Sequence, residues 1–442
     1  MSNMSSTPRS FTFVDLFAGI GGFHAALEAL GGTCSYASEI DEDAAKIYEH
    51  NWGVKPAGDI AAATEPDMTV PDHDVLVGGF PCQPFSKSGF QRGMNETRGT
   101  LFFSILKILE VRRPQLVLLE NVRNLAGPRH KHEWDVIIRE LRALGYRVSS
   151  TPAVFSPHLL PPERAGRPQV RERVFIAATL VGGLGVDETP VVTNRPVNGW
   201  DPQRWDLESI RLPDDEIDGG AGHYGLSERE ARWIAVWSDF VVRLKADGLE
   251  ELPGFPIWAD ELVPRDQLVI DDKVPEWKRN FLRKNSDLYT RHRDAIDAWR
   301  SAHPELEHFP ASRRKLEWQG QHAERLEDCI LQFRPSGIRA KRPTYAPALV
   351  AMAQTPIWHG NRRKMSPTEA SALQGFPNWF SFAGQDDKHT FKQLGNAVNV
   401  GAVFHVLREQ MRRSSDRWRE VAQRAPQTPD EYFKSRSPGR DV

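Results

Sequence analysis

The sequence predicts an α/β protein, a doubly wound, mainly parallel sheet domain followed by a smaller second domain. Three observations carry this. First, an apolar strand, Phe11-Thr12-Phe13-Val14-Asp15-Leu16, runs through the glycine-rich turn Phe17-Ala18-Gly19-Ile20-Gly21-Gly22 into a helix that reaches about Leu30. Strand, glycine turn and helix in that order open a nucleotide-binding sheet, with the ligand at the carboxyl ends of the strands. Second, Val75-Leu76-Val77 and Gln115-Leu116-Val117-Leu118-Leu119 are unbroken apolar runs, the pattern of parallel strands buried on both faces. Third, composition shifts after about residue 180. Residues 182–276 hold 21 Asp or Glu against 9 Lys or Arg, with frequent Trp, Pro and Gly.

At 442 residues the chain has material for two domains. A net charge of −2 excludes a generally polycationic protein, so any nucleic-acid contact must come from local patches. The three widely spaced cysteines, Cys34, Cys82 and Cys329, form neither a disulfide framework nor a metal site, which fits a reducing compartment. The chain has no transmembrane-length apolar run. The expectation is a cytoplasmic protein without a membrane segment or a metal.

The elements follow in order. Residues 1–10 look flexible. A second strand, Thr33 to Ser38, ends at Glu39-Ile40-Asp41, and a helix covers about Glu42 to His50. An acid about 20 residues beyond the glycines is placed to bind a ribose hydroxyl. Gly58-Asp59-Ile60 reads as a short third strand, with Asp59 able to accept from an adenine amino group. These turns specify a nucleoside and not a reaction, because a nicotinamide cofactor would make much the same demands.

The Val75–Val77 strand leads into Gly78-Gly79-Phe80-Pro81-Cys82-Gln83-Pro84-Phe85-Ser86. Each proline fixes its own φ and pushes the residue before it towards extended geometry. A thiol on a stiffened loop at the carboxyl end of a strand is placed as a nucleophile would be. Leu101 lies in a helix that Pro114 stops, and the next strand ends in Glu120-Asn121-Val122. A helix from His132 to Leu144 ends at Gly145; a strand spans Tyr146 to Phe155; Gln169-Val170-Arg171-Glu172-Arg173 opens another, Val174 to Ala178. Arginines at i and i+2 on a strand share a face.

In the second half, Ser227 and Glu230 form a capping box for a helix to about Ala246, and one more helix is expected from Pro275 to about Ser301. Residues 334–364 contain seven bases and no acid, the best candidate for phosphate contact. Ser366 to Glu369 cap a short helix, and Gly395-Asn396-Ala397-Val398 leads into an apolar helix, Val400 to Leu407.

Pro81-Cys82-Gln83, Glu120-Asn121-Val122, Gln169-x-Arg171-x-Arg173, Phe17-x-Gly19-x-Gly21-Gly22 and Gly395-Asn396-Ala397-Val398 together resemble the motifs of the DNA (cytosine-5) methyltransferases, in the same order and at similar spacing. One departure is Asn399-Val400, where the family often has proline. The resemblance covers about residues 11–180 and 364–407. It implies a Rossmann-like, S-adenosylmethionine-dependent catalytic domain over 11–180, completed by about 385–412. A target-recognition domain would span 181–384, and 413–442 would be a flexible tail.

The resemblance also implies the site. S-adenosylmethionine would lie over Phe17, Gly19 and Gly21, with Glu39 on the ribose, Ile40 against the adenine and Asp59-Ile60 at its edge. Leu101, Asn396 and Val398 would wall the pocket. Cytosine C5 takes a methyl group only after a thiolate adds to C6, which pushes charge onto N3. Cys82 would be that nucleophile and Glu120 the partner of N3. Arg173, with Arg171, would hold the cytosine O2, and Asn121 would fix loop geometry. The target base is inaccessible inside a duplex and must be flipped out; Gln83, Ser86 and Ser88, and the basic residues Arg339, Lys341 and Arg342, would contact DNA, lying in the cleft between the domains.

The reading is therefore the modification enzyme of a restriction–modification system. It would act on double-stranded DNA as a monomer associated with the nucleoid, any endonuclease being a separate chain. Three alternatives stand beside it. A same-fold enzyme could methylate cytosine in transfer RNA; a nicotinamide oxidoreductase would share the glycine turn but have no use for Cys82 with Glu120; an inactive DNA-binding module would be expected to have lost one of those two residues.

Overall fold

In the computed structural model the described residues are 11–81, 101–217, 219–351, 354–358, 360 and 363–435. The chain forms two compact units. One runs to Trp205 and resumes at Ala370; the other is Asp206–Glu369.

The first unit is built on a seven-stranded sheet. Its strands are β1 (Phe11–Leu16), β2 (Gly32–Ser38), β3 (Val75–Gly79), β4 (Leu116–Val122), β5 (Tyr146–Val148), β6 (Ala153–Phe155) and β7 (Arg173–Leu180). The order is β2-β1-β3-β4-β7-β5, with β6 also paired to β7. Strands β1 to β4 are parallel and β7 runs antiparallel to β4. The chain winds from β1 outward to β2 and then crosses to β3 on the other side. A crevice therefore opens at the carboxyl ends of β1 and β3, the switch point where such sheets bind ligands. The expected strand from Tyr146 to Phe155 is two strands, both on the same edge of β7.

The alternation of strand side chains covers both faces of this sheet. Val14 and Leu16 enter a core shared with the helices Ile60–Thr64, Leu101–Arg112 and Lys131–Ala143. Phe13 points the other way and meets His24 of the helix Gly22–Ala29 edge-on, with ring centroids 5.3 Å apart. Val75, Leu76, Val77 and Leu116 to Leu119 are fully buried, as the unbroken apolar runs require. The helix Val400–Arg412 returns to the sheet, where Gln410 Nε2 donates to the Val117 and Ala178 carbonyls at 3.3 and 2.9 Å.

Three expectations are corrected. Asp59 does not lie in a strand; its Oδ1 accepts from Ala61 N at 2.9 Å and caps the helix Ile60–Thr64, whose three alanines favour that state. The helix expected over 275–301 is two helices, Glu276–Arg291 and Arg293–Ala302, broken at His292, whose ring bonds Asp247 at 2.7 Å. The expected flexible tail holds the helices Asp416–Arg424 and Pro429–Lys434. Trp418 is buried there: its indole N–H donates to Gln115 Oε1 at 2.8 Å and its ring meets Phe11 edge-on at 5.4 Å. The tail is polar in composition, yet each of its two helices buries an aromatic ring, Trp418 in the first and Phe433 in the second.

The second unit has its own core. The helix Glu228–Ala246, opened by the Ser227–Glu230 capping box, packs Trp237 and Phe240 against Trp299. A four-stranded sheet joins it, made of β8 (Ile257–Trp258), β9 (Lys315–Gln319), β10 (Ile330–Arg334) and β11 (Gly337–Lys341), in the order β10-β11-β9-β8.

Candidate active site

Parallel pairing of β3 and β4 sets Gly79 opposite Glu120. A Cβ added at Gly79 would lie 3.3 Å from Glu120 Oε2, so a glycine at that point lets the strand end pass beside the carboxylate. Cys82, three positions on, lies outside the described residues, as do Gln83, Ser86 and Ser88. Its approach is fixed on the described side: Asn121 Nδ2 donates to the Phe80 carbonyl at 2.8 Å, and Asn121 Oδ1 accepts from Val122 N.

Glu120 is buried, and Oε1 is 2.9 Å from Arg173 Nε. Burial pushes its carboxyl pKa up, while the charges of Arg173 and Arg171 pull it back; the balance stays above the ordinary carboxylate value. The site thus makes this carboxyl group harder to ionise than a free carboxylic acid.

The two arginines part company despite their i, i+2 spacing. The strand pairing is interrupted at Arg171, before β7 begins at Arg173. Arg171 is buried, and its Nη2 donates to the carbonyls of Gly395 and Ala397 at 2.8 and 2.6 Å. Its backbone N–H donates to Ser156 Oγ at 2.9 Å. Arg171 thereby ties the Gly395–Val398 turn to the sheet. Val398 in turn packs against Gly22 and Gly79, joining the last motif to the first two.

On the nucleoside side, Phe17, Gly19 and Gly21 all have positive φ, 55°, 54° and 93°. Glu39 holds this turn, accepting from Gly19 N through Oε2 and from Asp41 N through Oε1, each at 2.8 Å. A Cβ at Gly19 would meet nothing within 4 Å, and the Ile40 side chain is 74% exposed. An open glycine cradle, an exposed apolar side chain and an acid at the end of β2 fit an adenosyl group. Asp59 and Asn396 are exposed, Leu101 is half-buried, and Ile60 is buried in the core with Val14 and Leu16. Sequence reasoning missed Ser156 and Trp52. Trp52 Nε1 donates to the Ile20 carbonyl at 3.0 Å and its ring stacks on His24. Neither residue lies in a recognisable local pattern; only the fold brings them in.

The basic segment belongs to the second unit. Arg339 Nε and Arg334 Nη1 both donate to Glu317 Oε2, at 3.1 and 2.6 Å. Lys341 lies over the Tyr345 ring at 4.5 Å, its pKa pulled down to about 8 by burial and by Arg339. Arg342 is exposed and donates to Gln321 Oε1 at 2.7 Å. Arg363 is buried and paired with Glu369 and Asp214. Arg362 lies outside the described residues. Among the described residues there is no cluster of three His, Cys, Asp or Glu that could hold a metal, and no helix long and apolar enough to cross a membrane.

Comparison with known proteins gives one family. The family model described as C-5 cytosine-specific DNA methylase matches residues 11–204 and 261–412. The chain is 45% identical to the type II methyltransferase M.AluI of Cellulosimicrobium cellulans, over 93% of this chain and 94% of that protein. It is 43% identical to the type II methyltransferase M.HhaI of Haemophilus parahaemolyticus, over 37% of this chain and 47% of that protein. With the type II methyltransferase M.NgoBI of Neisseria gonorrhoeae the identity is 39%, over 45% and 58%.

Proposed function

Since the chain belongs to the family of C-5 cytosine-specific DNA methylases, we propose that its activity runs through a covalent bond between Cys82 and C6 of a cytosine flipped out of double-stranded DNA. The chain is a DNA cytosine-5 methyltransferase, and S-adenosylmethionine, when bound, supplies the electrophilic methyl group. The single observation that carries the proposal is the buried Glu120 beside Arg173, opposite the strand end that delivers Cys82.

The Cys82 thiolate adds to C6, and the electron pair displaced from the C5–C6 bond moves onto the ring towards N3. Glu120 holds its proton against N3, so that charge does not build up there. This makes C5 enamine-like and able to accept a methyl group. Loss of the C5 proton to a base or to water then expels Cys82 and restores the ring. Arg173 keeps Glu120 in place and presents its remaining donors to the cytosine O2. Asn121 holds the strand end that feeds the Cys82 loop. Gln83, Ser86 and Ser88 contact the DNA beside the flipped base.

Phe17, Gly19, Gly21 and Ile40 would seat the adenosyl group, with Glu39 and Asp59 on its polar edges and Leu101, Asn396 and Val398 closing the pocket. The unit Asp206–Glu369 supplies target recognition, and Arg339, Lys341 and Arg342 within it contact DNA. The enzyme works as a monomer and as the modification half of a restriction–modification pair. Expression in a host that lacks cytosine methylation, followed by bisulfite sequencing, tests this. Protected cytosines within one short sequence are expected; uniformly converted DNA would refute it.

A further inference from the structure

We infer that the polar face of the β8–β11 sheet is a DNA-reading surface on which Arg339 recognises a guanine. This rests on the chain being a DNA methyltransferase and goes further, to the residue that sets target choice. Side chains of β9 to β11 alternate between two faces, with Ile330 the one apolar side chain opposite the core. Leu316, Trp318, Leu331, Ile338 and Ala340 enter the core of the second unit. The intervening residues share the opposite face. Of the residues that these strands place there, four are basic, Lys315, Arg334, Arg339 and Lys341, and one is acidic, Glu317. That excess of positive charge is local, in a chain of net charge −2 with an acidic stretch before it, and it suits a polyanion.

Within this face the strand register sets Glu317 and Gln332 on either side of Arg339. The Glu317 carboxylate takes Nε of Arg339 and also Nη1 of Arg334. A guanidinium gripped through Nε has a fixed plane. The two terminal amines of Arg339 make no hydrogen bond among the described residues and form a fork of the width that matches O6 and N7 of guanine in the major groove. A phosphate contact needs only charge, which Lys341 and Arg342 provide. A carboxylate buttress is what a base contact needs, because discrimination depends on direction.

The test is the set of methylated sequences. Arg339→Lys keeps the charge but cannot form the fork, and Glu317→Gln replaces the charged buttress with a neutral amide oxygen that holds Nε more weakly. Bisulfite sequencing of host DNA would be run on the wild type and both variants. The wild-type profile keeps this question separate from whether the chain methylates cytosine at all. The expected result for Arg339→Lys is continued methylation that spreads to sites altered at one guanine position, with discrimination there falling about ten- to a hundredfold. Glu317→Gln is expected to broaden the same position to a smaller degree. An unchanged set of sites, or a uniform fall in rate over that set, would overturn the inference. If Arg339→Lys abolishes methylation, the Glu317→Gln profile decides: broadening at one guanine supports the inference and an unchanged profile overturns it.

Discussion

Arg173 Nε lies 2.9 Å from Glu120 Oε1, and the two residues stand on neighbouring strands, Glu120 in β4 and Arg173 at the start of β7. The pair joins two opposed effects. Burial disfavours the ionised carboxylate, and the guanidinium favours it. Together they leave a group able to share a proton with a ring nitrogen.

The first prediction concerns pH. Glu120 must carry its proton to stabilise N3, and its pKa is raised, so the protonated form persists to higher pH than in a free carboxylic acid. The catalytic rate should fall as pH rises through that value. Glu120→Gln should lower kcat about a hundredfold or more, and its residual rate should lose this alkaline fall. Stopped-flow or steady-state rates across pH, with DNA binding measured beside them, check it. The same alkaline fall in the variant would assign it to another group.

The second concerns stability. Arg173→Ala leaves Glu120 buried without its partner, which should cost about 3 kcal/mol where the carboxyl group is ionised. The sign follows from the pKa. Without Arg173 the folded-state pKa of Glu120 rises further, so the cost is present above it and shrinks as pH falls and the group protonates. Urea unfolding at pH 8 and at pH 5 should show a larger loss at pH 8. An equal loss at both would mean that the pair does not control this ionisation.

The third separates the two arginines. Arg171 bonds the Gly395 and Ala397 carbonyls, so it acts on the turn that precedes Val398. Arg171→Lys places a single ammonium where a planar group reached two carbonyls. KM for S-adenosylmethionine should rise about tenfold with kcat changed less, and direct binding of the cofactor should weaken in step. A fall in kcat with unchanged KM would make Arg171 a catalytic residue instead.

The fourth concerns the carboxyl-terminal helices. Trp418→Ala removes a buried indole packed on Phe11 and bonded to Gln115. It should lower stability by about 3 kcal/mol, read by thermal or urea unfolding. An unchanged transition would show that the segment is dispensable to the fold.

Much of the first unit was legible because its strands are wholly buried and its turns carry glycine. Val75–Val77 and Leu116–Leu119 can be little else than central strands, and Glu39 and Glu120 stand where strands end. Asp59 was misread because a capping aspartate and a strand-end aspartate look alike until the following alanines are given weight. The split roles of Arg171 and Arg173 were hidden, since i, i+2 spacing gives a common face only while the strand is unbroken. The packing of Trp418 and the bond from Arg171 to Ala397 join residues hundreds of positions apart, and no local pattern announces such contacts. The basic run over 334–364 was visible as charge, but the pairing of Arg334 and Arg339 with Glu317 depends on strand register.

The central claim is that Cys82 bonds to the cytosine ring. A duplex carrying 5-fluorocytosine in the target sequence tests it most directly, because fluorine at C5 cannot leave as the proton does, and the adduct persists after methyl transfer. With S-adenosylmethionine present, the wild-type enzyme should form a denaturation-resistant complex with this duplex, and peptide mapping should place the link at Cys82. Cys82→Ala should form none while still binding the DNA. A stable complex in that variant, or a link at another residue, would contradict the account.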